Sequence, residues 1–291
     1  MIFIYKTIKY LLYIFLFLFF IFSTIFFLKV IIKSFPHKKI CEAIFFDVGQ
    51  GDSFFLNSSE IKILIDGGPD NTILEKLGNS ISYFSREIDF VLISHFHDDH
   101  LFGLLEVAKR YKIKNLIYSS ENDNNENLKK ILLNENAVYL KKFRGVEKKI
   151  SLSSALNYSS KNINLKIYSP IYFKAKDNEN NSLLTLIDIN DYKILLSGDN
   201  EKEIENLQVK SNIDLEADIF KVSHHGSITS NTINFLKKIN MKQAVISVGI
   251  NNNFNHPSDK IIERLKDLNI IIYRTDNMGD IVFKKYLTNI K

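Results

Sequence analysis

The sequence predicts an α/β domain with two β-sheets packed between outer helices, preceded by one membrane-spanning helix. Three observations predict this: a long apolar stretch near the N-terminus, a strand-rich and partly antiparallel first part, and a second part in which strands alternate with helices. The chain has 291 residues, of which 45% are hydrophobic, so it can bury a large core.

The N-terminal stretch from Tyr10 to Leu28 carries no charge, and the apolar run reaches Ile32 if Lys29 extends its ammonium group to the interface. A bilayer core needs about 20 apolar residues, whereas a cleavable signal peptide has an apolar run of about 7–15 residues and a small-residue cleavage site. We therefore expect a tail at residues 1–9, an uncleaved anchor helix at 10–32, a linker at 33–40 and a folded domain at 41–291.

The orientation of this single-pass helix is predicted differently by two features. Two lysines precede the helix and four lie at or after its end, which by the positive-inside rule favours a cytoplasmic C-terminal domain. The short N-terminal tail is typical of a signal anchor and favours export. Our working expectation is an extracytoplasmic domain.

Composition narrows the possible metal ligands. Cys41 is the one cysteine, which excludes a disulfide framework and a cysteine-based zinc knuckle, so a metal would need histidine and carboxylate ligands. The net charge of +5 suits an anionic substrate such as nucleic acid, although ordinary solvated lysines explain it equally well.

The remaining elements follow from apolar periodicity and turn residues. The predicted strands are CEAIFFDV, SFFL, IKILID, FVLIS, IKNLIYS, NLKIYSP, SLLTLIDI, YKILLSG, ADIFKVS, QAVISVG, IIIYRT and GDIVF. The predicted helices are FGLLEVAKRY, NENLKKILLN, TSNTINFLKKI and PSDKIIERLKDL. Asn-Asp between SLLTLIDI and YKILLSG predicts a hairpin. Residues 121–164 are the most polar and least patterned, and we expect them to be peripheral.

Six of the seven histidines follow predicted strands, where rigid elements position functional loops. They are His95, His97, His100, His224, His225 and His256. His37 lies beside the apolar helix and is interpreted as interfacial.

The run HFHDDH has a spacing that suits two neighbouring ions. His95 and His97 can face one ion, while Asp99 and His100 face a second. A bridging anion is available in LLSGDN as Asp199, just past a buried strand and a glycine. Imidazole with carboxylate suits zinc, manganese or iron without choosing among them.

The remaining histidines offer one more ligand and two substrate contacts. In KVSHHGS the side chains of His224 and His225 point in different directions, so we expect one to ligate metal and the other to bind or protonate the substrate. His256, with Pro257 near the first position of a helix, could contact a phosphate at that helix N-terminus, or could only help to cap the helix.

Together these motifs resemble a known family. HFHDDH is similar to the H-x-H-x-D-H pattern of the metallo-β-lactamase superfamily, and the order of motifs resembles the C-terminal domain of ComEC-type DNA-uptake proteins. The similar pieces lie between residues 43 and 283. They are FFDVGQGDS, ILIDGG, LISHFHDDHLFGL, LKIYSP, NNSLLTL, LLSGD, KVSHHGS, ISVGINNNFNHPS and RTDNMGDI.

The resemblance implies an αββα sandwich at residues 41–291 with two divalent ions, zinc or manganese. It implies His95 and His97 on the first ion, Asp99, His100 and His225 on the second, and Asp199 between them. Family members usually have a further histidine before the bridging aspartate. Here that region has none, and Asn181 could contribute weakly.

The resemblance also implies roles around the ions. We expect Asp47, Asp66 and Asp98 to support the metal loop, and Gln50, Asp52 or Asn181 to line the cleft. Asp99, His224 and His256 are the expected catalytic residues.

The predicted function is a membrane-anchored, metal-dependent hydrolase, namely a phosphodiesterase or nuclease acting on DNA or another anionic phosphodiester. Its expected partners are single-stranded DNA, the lipid bilayer and membrane proteins of DNA uptake (competence). ComEC-type proteins also carry a multi-helix channel domain, so we expect this chain to be a separate, tethered hydrolase domain. The alternatives are a hydrolase of another ester or a lactam, and a non-catalytic accessory of a DNA-uptake or envelope complex.

Overall fold

The computed structural model describes residues 2–34, 39–82, 85–119, 143, 146–174 and 181–287, in two units, 1–38 and 39–291. His37 and the predicted helix NENLKKILLN lie outside the described residues.

The first unit is a single helix, α1 (Ile2–Ser34). Its stretch Tyr10–Leu28 is long and apolar enough to cross a membrane, with a mean hydropathy of 2.7, and a signal sequence would meet the same criterion. The helix includes residues 2–9 of the expected tail and ends two residues beyond 32. No glycine or proline interrupts the chain before Pro36, which explains the greater length.

The second unit contains a sheet of seven strands in the order β14-β1-β2-β3-β4-β5-β6. The strands from β1 to β3 and β14 pair antiparallel, and those from β3 to β6 pair parallel. The strands are β1 (Lys39–Phe45), β2 (Phe54–Asn57), β3 (Lys62–Ile65), β4 (Glu87–Ile93), β5 (Lys112–Ser119), β6 (Lys148–Leu152) and β14 (Ile281–Leu287).

A second sheet of seven strands has the order β13-β12-β11-β10-β9-β8-β7. It too is antiparallel at one side, from β7 to β10, and parallel at the other, from β10 to β13. The strands are β7 (Ala155–Ser159), β8 (Ile163–Tyr168), β9 (Leu184–Ile189), β10 (Tyr192–Leu196), β11 (Ile219–Lys221), β12 (Gln243–Ile246) and β13 (Ile271–Arg274).

Helices cover the outer face of each sheet, which completes an αββα sandwich. α2 and α3 pack on the first sheet, and α4, α5 and α6 pack on the second. The helices are α2 (Thr72–Ser80), α3 (Asp98–Arg110), α4 (Lys202–Lys210), α5 (Ile233–Ile239), α6 (Asp259–Asp267) and the short α7 (Thr275–Met278).

Strand β4 shows why its sequence is continuously apolar. Phe90 and Leu92 point into the core between the sheets, whereas Val91 and Ile93 point into the core under α2 and α3. Side chains alternate between the faces of a strand, so a strand covered on both faces needs apolar residues at every position. The predicted two-sheet α/β class is confirmed.

Several local predictions are confirmed and others need correction. Asn190 and Asp191 form the β9–β10 turn, both with positive φ, as a two-residue hairpin requires. β1 begins at Lys39, so the expected linker is shorter and the folded unit starts two residues earlier than 41. The helices α2 and α4 were not predicted. Within residues 121–164, β6 and β7 form the edges of the two sheets.

Candidate metal centre

The candidate site lies where loops leave the C-terminal ends of strands in both sheets. The loop after β4 carries the HFHDDH run, β10 leads to Asp199, β11 leads to the His224–His225 pair, and the segment after β12 leads to His256. Loops at the carboxyl ends of parallel strands meet at one edge, which is the usual place for sites in open α/β sheets.

A first group of donors is formed by His95, His97 and Asp199. One ligand atom from each lies within 4.8 Å of the others. The Nε2 atom of His95 is 3.8 Å from Asp199 Oδ2, and the two imidazole rings are 4.4 Å apart. His95 and Asp199 are buried and His97 is half-buried, so this group opens toward solvent on the His97 side.

A second group consists of Asp99, His100, His225 and the same Asp199, again with ligand atoms within 4.8 Å of one another. His225 Nε2 lies 3.3 Å from Asp99 Oδ2 and 3.7 Å from Asp199 Oδ2, and His100 Nε2 lies 3.5 Å from Asp199 Oδ2. The fold therefore brings together all six residues predicted as ligands, with Asp199 common to both groups.

The hydrogen bonding of these residues fits metal ligation. The Nε2 atoms of His95, His100 and His225 and one oxygen of Asp199 are buried and have no hydrogen-bond partner among the described residues. Buried polar atoms are normally paired, so three unpaired imidazole nitrogens within 3.8 Å of Asp199 Oδ2 indicate a missing partner. Neutral imidazole nitrogen and carboxylate oxygen are the donors that zinc, manganese and iron accept.

Asp66, expected as a support of the metal loop, lies behind the HFHDDH loop. Its carboxylate accepts hydrogen bonds from the Ser94 backbone N–H at 2.8 Å, the Ser94 hydroxyl at 2.6 Å and His100 Nδ1 at 2.8 Å. Pairing Nδ1 with Asp66 leaves His100 Nε2 to face Asp199, which is how ligand imidazoles are usually oriented. Burial opposes charge on His100, but the Asp199 and Asp66 carboxylates hold its pKa well above the ordinary value.

Asp52 does not line the cleft, contrary to expectation. It is buried beneath His225, with Oδ1 3.3 Å from His225 Nδ1, and its other oxygen forms an ion pair with Lys221. His225 Nδ1 donates to the Ser247 carbonyl at 2.8 Å. Burial works against the charged His225 ring, yet Asp199 and Asp52 raise the pKa of His225 to about 9.

The other support and cleft residues differ from prediction in detail. Asp47 does not reach the metal loop in the described contacts. Its carboxylate accepts from the Gly49 N–H, so it shapes the β1–β2 loop instead. Gln50 accepts from the Gly249 N–H at 3.2 Å and joins that loop to the segment after β12. Asp98 is exposed in the first turn of α3, where a negative charge favours the helix N-terminus.

The sequence lacks the further histidine that family members usually have before the bridging aspartate, and the first donor group reflects this. No further histidine joins His95, His97 and Asp199 within the part of the chain that the structure describes. Ser182 lies behind them instead: its hydroxyl is 3.2 Å from His95 Nδ1 and accepts from the Asp199 N–H at 2.9 Å. Asn181, the suggested weak ligand, is half-buried next to this serine.

The His224–His225 turn has an unusual backbone. Both residues have φ near +51°, in the left-handed region that non-glycine residues rarely occupy. The turn is held by Asn231, whose side chain accepts from the Ser223 N–H and donates to the Ser223 carbonyl. Buried Glu205 in turn accepts from the Asn231 N–H at 2.6 Å. The strained turn points the two rings in different directions, as predicted, at 68° to each other.

His224 and His256 lie on the open side of the centre. His224 Nε2 is 3.7 Å from Asp199 Oδ2, its side chain is 22% exposed, and its ring is 5.7 Å from that of His256. Burial and the neighbouring His225 and His224 lower the pKa of His256 to about 4. The expectation that Pro257 lies at the start of the helix is wrong by two positions, because Ser258 is the N-cap and α6 begins at Asp259.

Sequence reasoning missed several of the residues that hold the ligands. Lys221 had a visible signal, a lysine inside the apolar strand that leads into HHG, because a buried lysine needs a carboxylate partner. Asn231 and Glu205 gave no comparable signal, since each looks like an ordinary polar residue of a loop or a helix.

The sequence profile of the metallo-beta-lactamase superfamily matches residues 46–152, which span β2 to β6 and include the HFHDDH loop. The chain carries a metallo-β-lactamase domain. A solved structure supports the fold over a longer range: the metallo-beta-lactamase fold protein YhfI from Bacillus subtilis superposes with a TM-score of 0.55 at 11% identity, covering 85% of this chain and 100% of that one.

Curated relatives extend the likeness of the metallo-β-lactamase domain to competence proteins. ComE operon protein 3 of Bacillus subtilis is 27% identical over 258 residues, which is 82% of this chain and 32% of that protein. Exodeoxyribonuclease WalJ of Streptococcus pneumoniae is 32% identical over 72 residues, 25% of this chain and 26% of that protein. The chain thus spans at most a third of the length of either relative.

Proposed function

We propose that this chain is a membrane-anchored, metal-dependent phosphodiesterase that cleaves DNA or another anionic phosphodiester. The observation that carries the proposal is the pair of donor groups that share Asp199 and present three buried, unpartnered imidazole nitrogens. Such a paired arrangement suits two ions acting on one phosphoryl centre.

In this proposal His95, His97 and Asp199 hold one divalent ion, and Asp99, His100, His225 and Asp199 hold the other, with zinc or manganese as the expected metals. When bound, the ions supply Lewis-acid activation of water and of the scissile phosphoryl group.

The chain's own residues position the reactants and manage protons. Neighbouring His225 and His100 outweigh burial and lower the pKa of Asp99 to about 2, so its carboxylate stays charged and can accept a hydrogen bond from the attacking water. His224 and His256, on the open side, can donate hydrogen bonds to phosphate oxygens as negative charge develops there.

The substrate class is supported by the names of two relatives. WalJ is named an exodeoxyribonuclease, and another relative, from Neisseria gonorrhoeae, is named competence protein ComA. Single-stranded DNA is the substrate we propose, because a separated strand can enter a cleft at a sheet edge more easily than a duplex.

The location is proposed on the same grounds. α1 anchors the chain in the bilayer through Tyr10–Leu28, with the metallo-β-lactamase domain on the extracytoplasmic side and membrane proteins of DNA uptake as its partners. Cysteine labelling of the intact cell with a membrane-impermeant reagent, using an exposed cysteine introduced at Ile271, tests the side: labelling is expected, and protection would reverse the orientation.

The activity is tested on the purified full chain in detergent, loaded with Mn²⁺ or Zn²⁺. Wild type is expected to hydrolyse bis-p-nitrophenyl phosphate and to cut single-stranded DNA, while His95→Ala and Asp199→Ala each lose at least about 100-fold in rate. Asp98→Ala is the matched control, because this neighbouring carboxylate is exposed and belongs to neither donor group.

Two results would contradict the proposal. One is a wild-type protein that holds metal but cleaves neither diester. The other is full activity in both ligand variants. Chromogenic lactams, thioesters and carboxyl esters run in parallel show whether the same centre hydrolyses a different bond, and fewer than one metal per chain by mass spectrometry would favour a non-catalytic accessory.

A further inference from the structure

An exposed aromatic ring stands beside the candidate metal centre. Phe254, in the segment between β12 and α6, is 65% exposed. Its ring is 5.9 Å from that of His256 with an interplanar angle of 24°, so the two rings are nearly parallel. A large apolar ring kept in solvent next to polar catalytic groups contributes little to folding, which raises the question of what it contacts.

The Phe254 ring is the outermost of a row of rings that ends at His225, a proposed metal ligand. His256 is itself stacked on His225 at 6.4 Å and 27°, and His225 Nε2 lies 3.3 Å from Asp99 Oδ2. Phe254, His256 and His225 therefore form a row of three rings from the surface to the second donor group, each ring tilted by less than 30° from the next. A planar group placed on Phe254 would continue this row away from the centre.

The segment that carries Phe254 is fixed by one asparagine. Asn252 Oδ1 accepts from the N–H groups of Phe254 at 3.1 Å and His256 at 3.0 Å. Asn252 Nδ2 donates to the carbonyls of Gly249 at 3.1 Å and His256 at 2.7 Å. Four hydrogen bonds from one side chain hold the loop in shape, so little ordering entropy is lost when a ligand contacts Phe254.

We propose that Phe254 is a stacking platform for a nucleobase of the strand whose phosphodiester lies at the metal centre. The proposal rests on the proposed phosphodiesterase function and names its substrate subsite. A base on an exposed aromatic face contributes about 1–3 kcal/mol whatever its identity, so the platform favours single-stranded nucleic acid without selecting a sequence. A strand already unstacked can present a base to the ring, whereas a duplex must first open.

The test compares two strands of equal length, an ordinary single-stranded deoxyribonucleotide oligomer and one whose sugars carry no bases. Full-length protein with Mn²⁺ is expected to have a lower KM for the base-bearing strand. Phe254→Ala should raise that KM by between about 5-fold and about 150-fold and so abolish the preference for bases, with kcat little changed. Phe254→Tyr keeps the ring and should restore the preference.

Ile271→Ala is the matched control, because Ile271 is a 56% exposed apolar residue at the opposite end of strand β13 from the centre. It should retain the wild-type preference. The platform would be overturned if Phe254→Ala keeps the preference for the base-bearing strand. It would also be overturned if the variant raises the KM for both strands equally, since that result assigns the ring to loop packing.

A failure of the phosphodiesterase proposal is distinguishable from a failure of the platform. If wild type cuts neither strand, fluorescence anisotropy of the labelled oligomers with the Mn²⁺-loaded protein measures binding and so tests the platform without cleavage. Tighter binding of the base-bearing strand that Phe254→Ala removes would support it, and equal binding of both strands by wild type would overturn it.

Discussion

The two donor groups of the candidate centre differ in how firmly the protein holds them. The four-donor group is fixed from behind: Asp66 bonds His100, and the Asp52–Lys221 pair lies beneath His225. The three-donor group has a half-buried histidine, His97, and a serine hydroxyl behind His95. Because preorganised ligands lose less entropy on binding, the four-donor group should hold its ion more tightly.

The largest expected effect comes from the buried Asp52–Lys221 ion pair on the four-donor side. Lys221→Met leaves the Asp52 carboxylate buried without its cation, which typically costs about 3–5 kcal/mol in the free energy of unfolding. Denaturant unfolding of the metal-free protein measures it. The double variant with Asp52→Asn should recover much of the loss, and no recovery would show that Lys221 acts through another contact.

The second-largest effect is expected in metal affinity when one of the proposed ligands is removed. Titration with a chelator should remove metal from wild type in two steps, the weaker step belonging to the three-donor group. His225→Ala should weaken the tight step by about 100-fold or more, while His97→Ala should alter only the weak step. If His97→Ala instead removes the tight step, the ranking of the two groups is reversed.

A smaller effect is expected from the support beneath His100. Asp66→Asn removes the charged acceptor for Ser94 and His100 and should lower metal affinity of the four-donor group by about 10- to 100-fold. Asp47→Asn is the matched control, because Asp47 bonds the Gly49 N–H of its own loop. Equal losses of metal affinity in the two variants would indicate a general loss of rigidity in the domain rather than a specific role for Asp66.

The smallest effect separates the two adjacent aspartates of HFHDDH. Asp98→Ala removes a charge from the first turn of α3 and should lower the free energy of unfolding by about 0.3–1 kcal/mol, with both ions retained. Denaturant unfolding and metal analysis check both parts. Loss of an ion in this variant would place Asp98 in the centre after all.

The features that the sequence predicted best are those that depend on neighbouring residues, namely the strands and the types of ligand. The strands that lead to His95, Asp199 and His225 each show a short apolar run that stops before the functional loop, and the ligand types are visible in the loop itself. The short helices α2 and α4 were missed because they contain few apolar residues, and tertiary contacts rather than periodicity stabilise them.

Contacts between segments that are distant in the chain could not be predicted from the sequence. Asp52 was expected in the cleft because it lies in FFDVGQGDS, one of the pieces that resemble the family's motifs. Only the fold shows that this loop meets Lys221 and His225. Asp47 and Pro257 were misplaced for a related reason, since a motif gives the order of residues but neither the direction of a side chain nor the residue at which a helix begins.

The two sheets each contribute only part of the candidate centre. His95, His97, Asp99 and His100 follow β4 of the first sheet, whereas Asp199 and His225 follow β10 and β11 of the second. An ion held by both sets is a crosslink between the halves of the sandwich, and its binding free energy becomes part of the stability of the fold. At a free metal concentration of a thousand times Kd this linkage amounts to about 4 kcal/mol. Removal of the metal would therefore loosen the contact between the two sheets as well as stop any reaction at their shared edge.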